Sequence, residues 1–173
     1  MVWILFAADI RGSMRLFNKQ SGFTLIELIV IIAIVAVFAA IAVPNFLSYM
    51  PKHRLNGAAR QVMGDLMAAR MKAVSQNRRV KVFFYNDPVN QYKICDDANN
   101  NGTVADGEGD VQLKDIQDEY HDVTLTKSAD PVFQPRGTVS PTTKITLSST
   151  SDSSLIKYVK VAITGRVKID DTP

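Results

Sequence analysis

An α+β fold is what this 173-residue chain predicts: a long N-terminal helix, transmembrane and then amphipathic, packed on an antiparallel β-sheet domain. Three observations lead there. A run of 21 residues from Phe23 to Val43 is apolar but for Thr24 and Glu27. Apolar residues then recur at steps of four and three from Leu55 to Ala73. From Arg78 onward the pattern alternates with a period of two. One helix followed only by strands reads as segregated α and β layers.

The apolar run FTLIELIVIIAIVAVFAAIAV would span roughly 31 Å as a helix, about one hydrocarbon core. Pro44, Asn45 and Phe46 follow it, with no small-residue peptidase site of the A-x-A kind, so it reads as retained. Arg15 and Lys19 lie before it and Lys52 and Arg54 after it. That spacing leans toward a cytoplasmic N-terminus. Beyond Pro44, Leu55, Ala59, Val62, Leu66, Ala69 and Ala73 form one stripe, with Met63, Met67 and Met71 beside it. We expect this helix to be perturbed at Pro51, to end near Ser75 to Asn77, and to pack its methionines into the core. His53 is expected to cap or flank it. The expected strands are Arg79–Tyr85, Gln91–Cys95, Val111–Ile116, Val123–Lys127, Lys144–Ser148, Leu155–Ile163 and Arg166–Ile169, separated by turn-rich pieces such as Gln134 to Gly137 and Thr164-Gly165. The expected organisation is therefore residues 1–22, ahead of the apolar run; 23–43, a transmembrane helix; 44–77, its amphipathic continuation; and 78–173, a β-rich part.

Charge excludes some partners. The formal net charge is +3, but Arg11, Arg15 and Lys19 precede Phe23 against the single acid Asp9, leaving 17 basic and 16 acidic residues beyond. A nearly neutral body is poor support for a polyanion-binding protein. The single cysteine, Cys95, forms no intrachain disulfide and reads as a small buried hydrophobe. Catalysis finds no support: His53 and His121 have no nucleophile beside them and no metal-ligand spacing, and there is no phosphate-binding glycine loop. His121 reads as a turn residue, and the serine-rich run near residue 150 as a loop.

Glu27 carries the most information. A carboxylate this deep in an apolar helix costs on the order of 3 kcal/mol to insert. Lys19 is two turns back, out of reach on the same helix. If the chain were cut between Gly22 and Phe23, a new α-ammonium would start the helix four residues before Glu27. The helix dipole disfavours a cation there, which strengthens its demand for a carboxylate.

With those residues in view, KQSGFTLIELIV resembles the leader and helix start of type IV pilins and type II secretion pseudopilins. The resemblance covers about residues 18 to 50. It implies cleavage between Gly22 and Phe23 by a prepilin peptidase and N-methylation of Phe23. Glu27 would neutralise the terminal amine of an adjacent subunit, and Pro44 would mark a kink or a melted stretch. It implies, too, that residues 1–22 are a leader, that 23–43 are an assembly helix, and that the chain is a single-pass protein of the bacterial inner membrane with residues 78–173 in the periplasm and other pilin or pseudopilin subunits as partners. Because such leaders are short, Met14 is the expected translation start. The pieces Phe133 to Gly137 and Thr164-Gly165-Arg166-Val167-Lys168-Ile169 resemble H-type minor pseudopilins and the related minor pilins of pilus assembly.

Two further sites are candidates. Residues 97–108, DANNNGTVADGE, match a calcium-loop template: Asp97, Asn99 and Asn101 alternate, Gly102 permits the turn, Thr103 offers its carbonyl, and Glu108 closes the loop. The same composition is ordinary turn material. Calcium is the one cofactor considered, and any binding would be weak. Basic residues cluster at Arg78, Arg79 and Lys81 and again at Lys157, Lys160, Arg166 and Lys168. On one face, Arg78, Arg79, Lys160, Arg166 and Lys168 could contact DNA; otherwise they are solvated edges. The chain thus reads as a minor pseudopilin, a non-enzymatic subunit of a type II secretion pseudopilus. The alternative is a minor type IV pilin of pilus assembly or DNA uptake.

Overall fold

The computed structural model describes residues 22–86 and 89–172. The leader, with the expected start at Met14, lies outside the described residues. The chain divides into two units, residues 1–41 and 42–173.

One helix, α1, runs Leu25–Gln76. Its apolar first part passes the length and composition test for a membrane span, with a mean hydropathy of 3.1 over the best window and none of that window buried. The helical assignment continues through Pro44 and Pro51. Of the kink or melted stretch expected at Pro44, no melting interrupts the helix; each proline removes one backbone donor, and the turns on either side stay helical. His53 accordingly sits inside α1, 6.2 Å from the Tyr49 ring, not at a cap.

In the second unit Leu55, Ala58, Ala59, Val62, Leu66, Ala69 and Ala73 are all buried. This is the expected stripe with Ala58 added. Four of the seven are alanines, so the helix backbone can lie close against what it covers. Of the methionines only Met63 packs against the core; Met67 and Met71 are 40% and 70% exposed. The expectation that all three are core residues fails because the alanine stripe alone fills the contact. The helix ends with Asn77 at φ 53°, where the Arg78 N–H reaches the Ala73 carbonyl (3.2 Å) and the Asn77 N–H the Val74 carbonyl (3.4 Å). This is a left-handed cap with asparagine in the usual glycine place.

Strands β1 (Val80–Asn86), β2 (Val89–Asp96), β3 (Gln112–Asp115), β5 (Val132–Phe133) and β6 (Val139–Ser140) form one sheet in the order β3-β2-β1-β5-β6. Strands β4 (Val123–Lys127), β7 (Thr143–Ser149), β8 (Ile156–Val161) and β9 (Val167–Asp170) form a second, in the order β4-β7-β8-β9. Every pairing is antiparallel. The single expected sheet is thus two. The short β5 and β6 were missed because two residues carry no readable alternation. Ile116 leaves the expected third strand for a 3₁₀ turn, Ile116–Asp118, capped by the Asp115 carboxylate.

Polar contacts tie the layers together. The Tyr92 hydroxyl donates to Asp65 on α1 (2.5 Å), and Lys114 of β3 reaches the other oxygen of the same carboxylate (2.9 Å). Burial, then Asp65, pushes the Tyr92 phenol well above its ordinary pKa, so it stays a donor. The buried Asn90 side chain accepts the Leu125 N–H (2.7 Å), joining the two sheets. Arg70 of α1 donates to the Gly137 carbonyl (2.9 Å), and a Cβ on Gly165 would sit 1.9 Å from that same oxygen. Gly165, at φ 76°, is therefore doubly constrained.

Replacing Tyr92 by Phe keeps the packing but leaves Asp65 short of a donor. It should lower stability by about 1–3 kcal/mol in denaturant unfolding. Gly165→Ala should cost more than that, since both the left-handed backbone and the contact with Gly137 fail together.

Candidate functional site

The start of the apolar helix is built by Thr24. Its hydroxyl accepts the Glu27 N–H (3.2 Å), and its carbonyl accepts the Leu28 N–H (3.2 Å). Thr24 is therefore the N-cap and Glu27 the third helical residue, the T-x-x-E spacing of a capping box. Sequence reading missed this, although the spacing was legible. Gly22 and Phe23 precede the helix as irregular backbone, and Phe23 is 77% exposed. Among the described residues the Glu27 carboxylate forms no hydrogen bond or ion pair, so the charge stands at the positive end of the helix dipole without a side-chain partner. Every residue from Phe23 to Val43 is exposed.

The 97–108 loop is organised around Asp97. Its two carboxylate oxygens accept the Asn101 N–H (3.0 Å) and the Gly102 N–H (2.9 Å), while Gly102 adopts φ 86°. Asn99 Oδ1 accepts the Asn101 N–H (2.9 Å), and Asn101 Oδ1 takes both the Thr103 N–H (2.7 Å) and its hydroxyl (2.6 Å). Glu108 folds back to the N–H groups of Asn99 (3.4 Å) and Ala105 (2.9 Å). The expected residues are brought together, yet their oxygens are engaged with the loop's own amides. Among the described residues no three carboxylate, histidine or cysteine groups are placed to hold a metal ion. The loop is also clasped to the sheet: Asp106 accepts from the Tyr85 hydroxyl (2.7 Å) and from Lys93 (2.9 Å).

The basic candidates are divided between the two sheets. Arg78 and Arg79 lead into β1 of the first sheet, whereas Lys160, Arg166 and Lys168 sit at β8 and β9 of the second. Lys160 (3.3 Å) and Lys168 (2.8 Å) both turn to Asp170, and Lys157 pairs with Asp171. Hydrogen bonds from Lys168, Lys160 and Thr172 hold the Asp170 carboxyl well below the ordinary carboxylate range. Cys95 is buried, as expected. His121 lies in a turn, where Arg54 approaches its Nε2 (3.0 Å) and the Asp122 carboxylate (3.4 Å).

Known proteins divide the chain in the same way. The prokaryotic N-terminal methylation motif matches residues 17–43, the stretch holding Gly22, Phe23 and Glu27. The family described as type II transport protein GspH matches residues 58–165, most of the β-rich body with the buried half of α1. The chain is a type IV pilin-like protein of the GspH family. Among relatives of this GspH-type minor pilin, a fimbrial protein of Pseudomonas aeruginosa is 31% identical over 63% of this chain and 69% of its own length. Fimbrial protein Q of Moraxella bovis is 43% identical over 31% of each chain. The type IV major pilin protein PilA of Myxococcus xanthus is 30% identical over 59% of this chain and 45% of its own. The last two are thus matched over less than half their length. Crystal structures of the type IV minor pilin FimU of Pseudomonas aeruginosa share the fold, with TM-scores of 0.54 and 0.51, 18% identity, and coverage of 70% and 66% of this chain and 92% and 91% of theirs.

Acid should loosen this pilin. Asp96 opposes its own burial with hydrogen bonds from Lys72 and the Asp110 N–H, which hold its carboxyl below its ordinary range; Lys93 and Tyr85 do the same for Asp106. A depressed folded pKa contributes stability that is present above the unfolded value and lost as pH falls through the folded one. Unfolding midpoints measured from pH 6 downward should therefore fall below about pH 4. Asp97→Ala strands two loop amides and should cost about 2 kcal/mol in the same assay.

Proposed function

We infer that this GspH-type pilin is a structural subunit that polymerises through its N-terminal helix. The observation that carries the reading is the exposed apolar surface from Phe23 to Val43, with one carboxylate at its start that has no partner among the described residues. In a bilayer that surface is covered by lipid; in a filament it is covered by neighbouring helices of the same kind. A prepilin peptidase would cut between Gly22 and Phe23, leaving an α-ammonium on Phe23 to be N-methylated. Methylation keeps the charge, so the amine remains the cation that Glu27 of an adjacent subunit would neutralise. The body would stand in the periplasm on a single span of the inner membrane.

The finer role we infer is that of a minor pseudopilin in a type II secretion pseudopilus, supported by the GspH match over the body. The other role, a minor type IV pilin serving pilus assembly or DNA uptake, is supported by the fimbrial relatives. For DNA contact it would rely on Arg78, Arg79, Lys160, Arg166 and Lys168, two of which are already tied to Asp170. Loss of secretion in a deletion strain that still assembles pili and takes up DNA would establish the first role; the opposite pattern would establish the second. No step in either role needs catalysis.

Calcium binding by the 97–108 loop is supported by the convergence of Asp97 and Asn99 on the Asn101–Gly102 amides, since each of these accepting oxygens keeps a second lone pair. Millimolar calcium, against magnesium as control, should raise the thermal midpoint of the full chain and fail to do so in Asp97→Ala. An unchanged midpoint removes the proposal.

The assembly reading is checked by mass. The membrane form should lack residues 1–22 and carry one added methyl group on Phe23. Glu27→Ala should be cut normally yet enter fibres at least ten-fold less than the parent, by quantifying sheared filaments. Normal incorporation of that variant would end the electrostatic account.

A further inference from the structure

A cleft of about 310 Å³ opens where the β1 entry, the 97–109 loop, β5 and β6 meet, lined by Arg79, Lys81, Thr103, Val132, Gln134 and Ser140 among others. Arg79 and Lys81 are two apart on an extended segment whose alternate residues Val80, Val82 and Phe84 are buried, so both cations stand on the outer face. Elsewhere in the body most lysines meet an acid: Lys72, Lys93, Lys114, Lys127, Lys157, Lys160 and Lys168 all form ion pairs. Among the described residues, Arg79 and Lys81 form none; Lys81 lies only over the Phe83 ring, 4.1 Å from its centre. The acid closest in the chain to the loop's turn is committed elsewhere. Asp97 gives its backbone N–H to the Arg79 carbonyl (2.9 Å) and both carboxylate oxygens to Asn101 and Gly102. The loop is thereby fastened beside Arg79 without neutralising it. Gly102 adds clearance, for a Cβ there would stand 3.4 Å from an Arg79 guanidinium nitrogen.

From these observations we propose that this cleft binds a single small oxyanion, a carboxylate or phosphate group, between Arg79 and Lys81. The guanidinium offers a planar fork of donors to two oxygens, Lys81 a mobile point charge, and the Ser140 hydroxyl and Gln134 amide uncharged donors. Val104 and Val132 in the wall exclude water on one side, which strengthens the charge contact. Size and surroundings favour a single group over a nucleic-acid backbone. The cleft holds one headgroup-sized anion, and the loop beside it carries Asp97, Asp106 and Glu108, which would repel an extended polyanion.

The test is a titration of the detergent-solubilised full chain with inorganic phosphate and, separately, with acetate, at constant ionic strength. Backbone amide chemical shifts and thermal midpoints are the readouts. The expected result is saturable shifts centred on residues 79–81, 102–104, 134 and 140 with at least one anion, and affinity at least ten-fold weaker in the double variant R79Q/K81Q. Saturation by acetate alone assigns a carboxylate ligand, such as an acidic side chain; saturation by phosphate alone assigns a phosphoryl one. The double variant R166Q/K168Q should bind like the parent. Shifts that merely track salt, that survive R79Q/K81Q, or that arise only with duplex DNA would overturn the proposal. Matching unfolding curves of parent and R79Q/K81Q without anion keep a folding defect from passing as lost binding.

Discussion

An apolar helix that nothing among the described residues covers is the constraint on which the rest of this molecule depends. Phe23 to Val43 form that surface, and its residues lie exposed along the whole stretch. Water makes such exposure unfavourable in proportion to area, so the surface must always be inside lipid or against other helices. Both surroundings admit the same sequence, because neither rewards polar groups. Of the two polar residues in the stretch, Thr24 and Glu27, only Glu27 carries a charge. In lipid its charge is costly; beside a cation it is satisfied. A carboxylate of this kind makes one arrangement of neighbours better than all axial slips of it, which greasy surfaces alone do not do.

Thr24 refines that picture. By accepting the Glu27 N–H it fixes the first helical turn, so that the carboxylate projects from a defined position and not from a frayed end. The two residues form half of a capping box, with the glutamate's return contact unmade. A Glu27 fully engaged in capping its own helix would be less available to a neighbour. Cap and charge partner thus compete for one side chain, and the threonine keeps the helix start ordered while leaving the carboxylate unspent.

Legibility followed the reach of the interactions concerned. The apolar run and the Leu55–Ala73 stripe were readable because a periodic pattern over many residues reports one surface. The strands with alternating burial, such as β7 with Thr143, Ile145, Leu147 and Ser149 inward, were readable for the same reason. What escaped depended on tertiary meeting points. Strands β5 and β6 are two residues each and exist because β1 pairs with β5 and the Ile163 carbonyl takes the Val139 N–H. Met67 and Met71 have the right spacing for a core, yet the alanines beside them bring the helix so close to the sheets that the methionines stay outside. Pro44 and Pro51 lie inside the 52-residue helix, since a missing donor weakens one turn and leaves the hydrogen bonds of the others. Of the candidate sites, the loop around Asp97 was legible as a turn-forming constellation, whereas the pairing of Lys160 and Lys168 with Asp170 needed the register of β8 against β9.

That pairing bears on how the body can meet its partners. Charges that answer one another across adjacent strands contribute little to stability on an exposed surface, but they cancel the field that would draw in a polyanion. The body is nearly neutral in composition, and on the second sheet Asp170 and Asp171 answer three of the lysines. Groups without an ion pair among the described residues, such as Glu27 at the helix start and Arg79 and Lys81 at the head of β1, are selective through their positions, since a neighbour must supply the opposite charge at the right place or leave it unpaired.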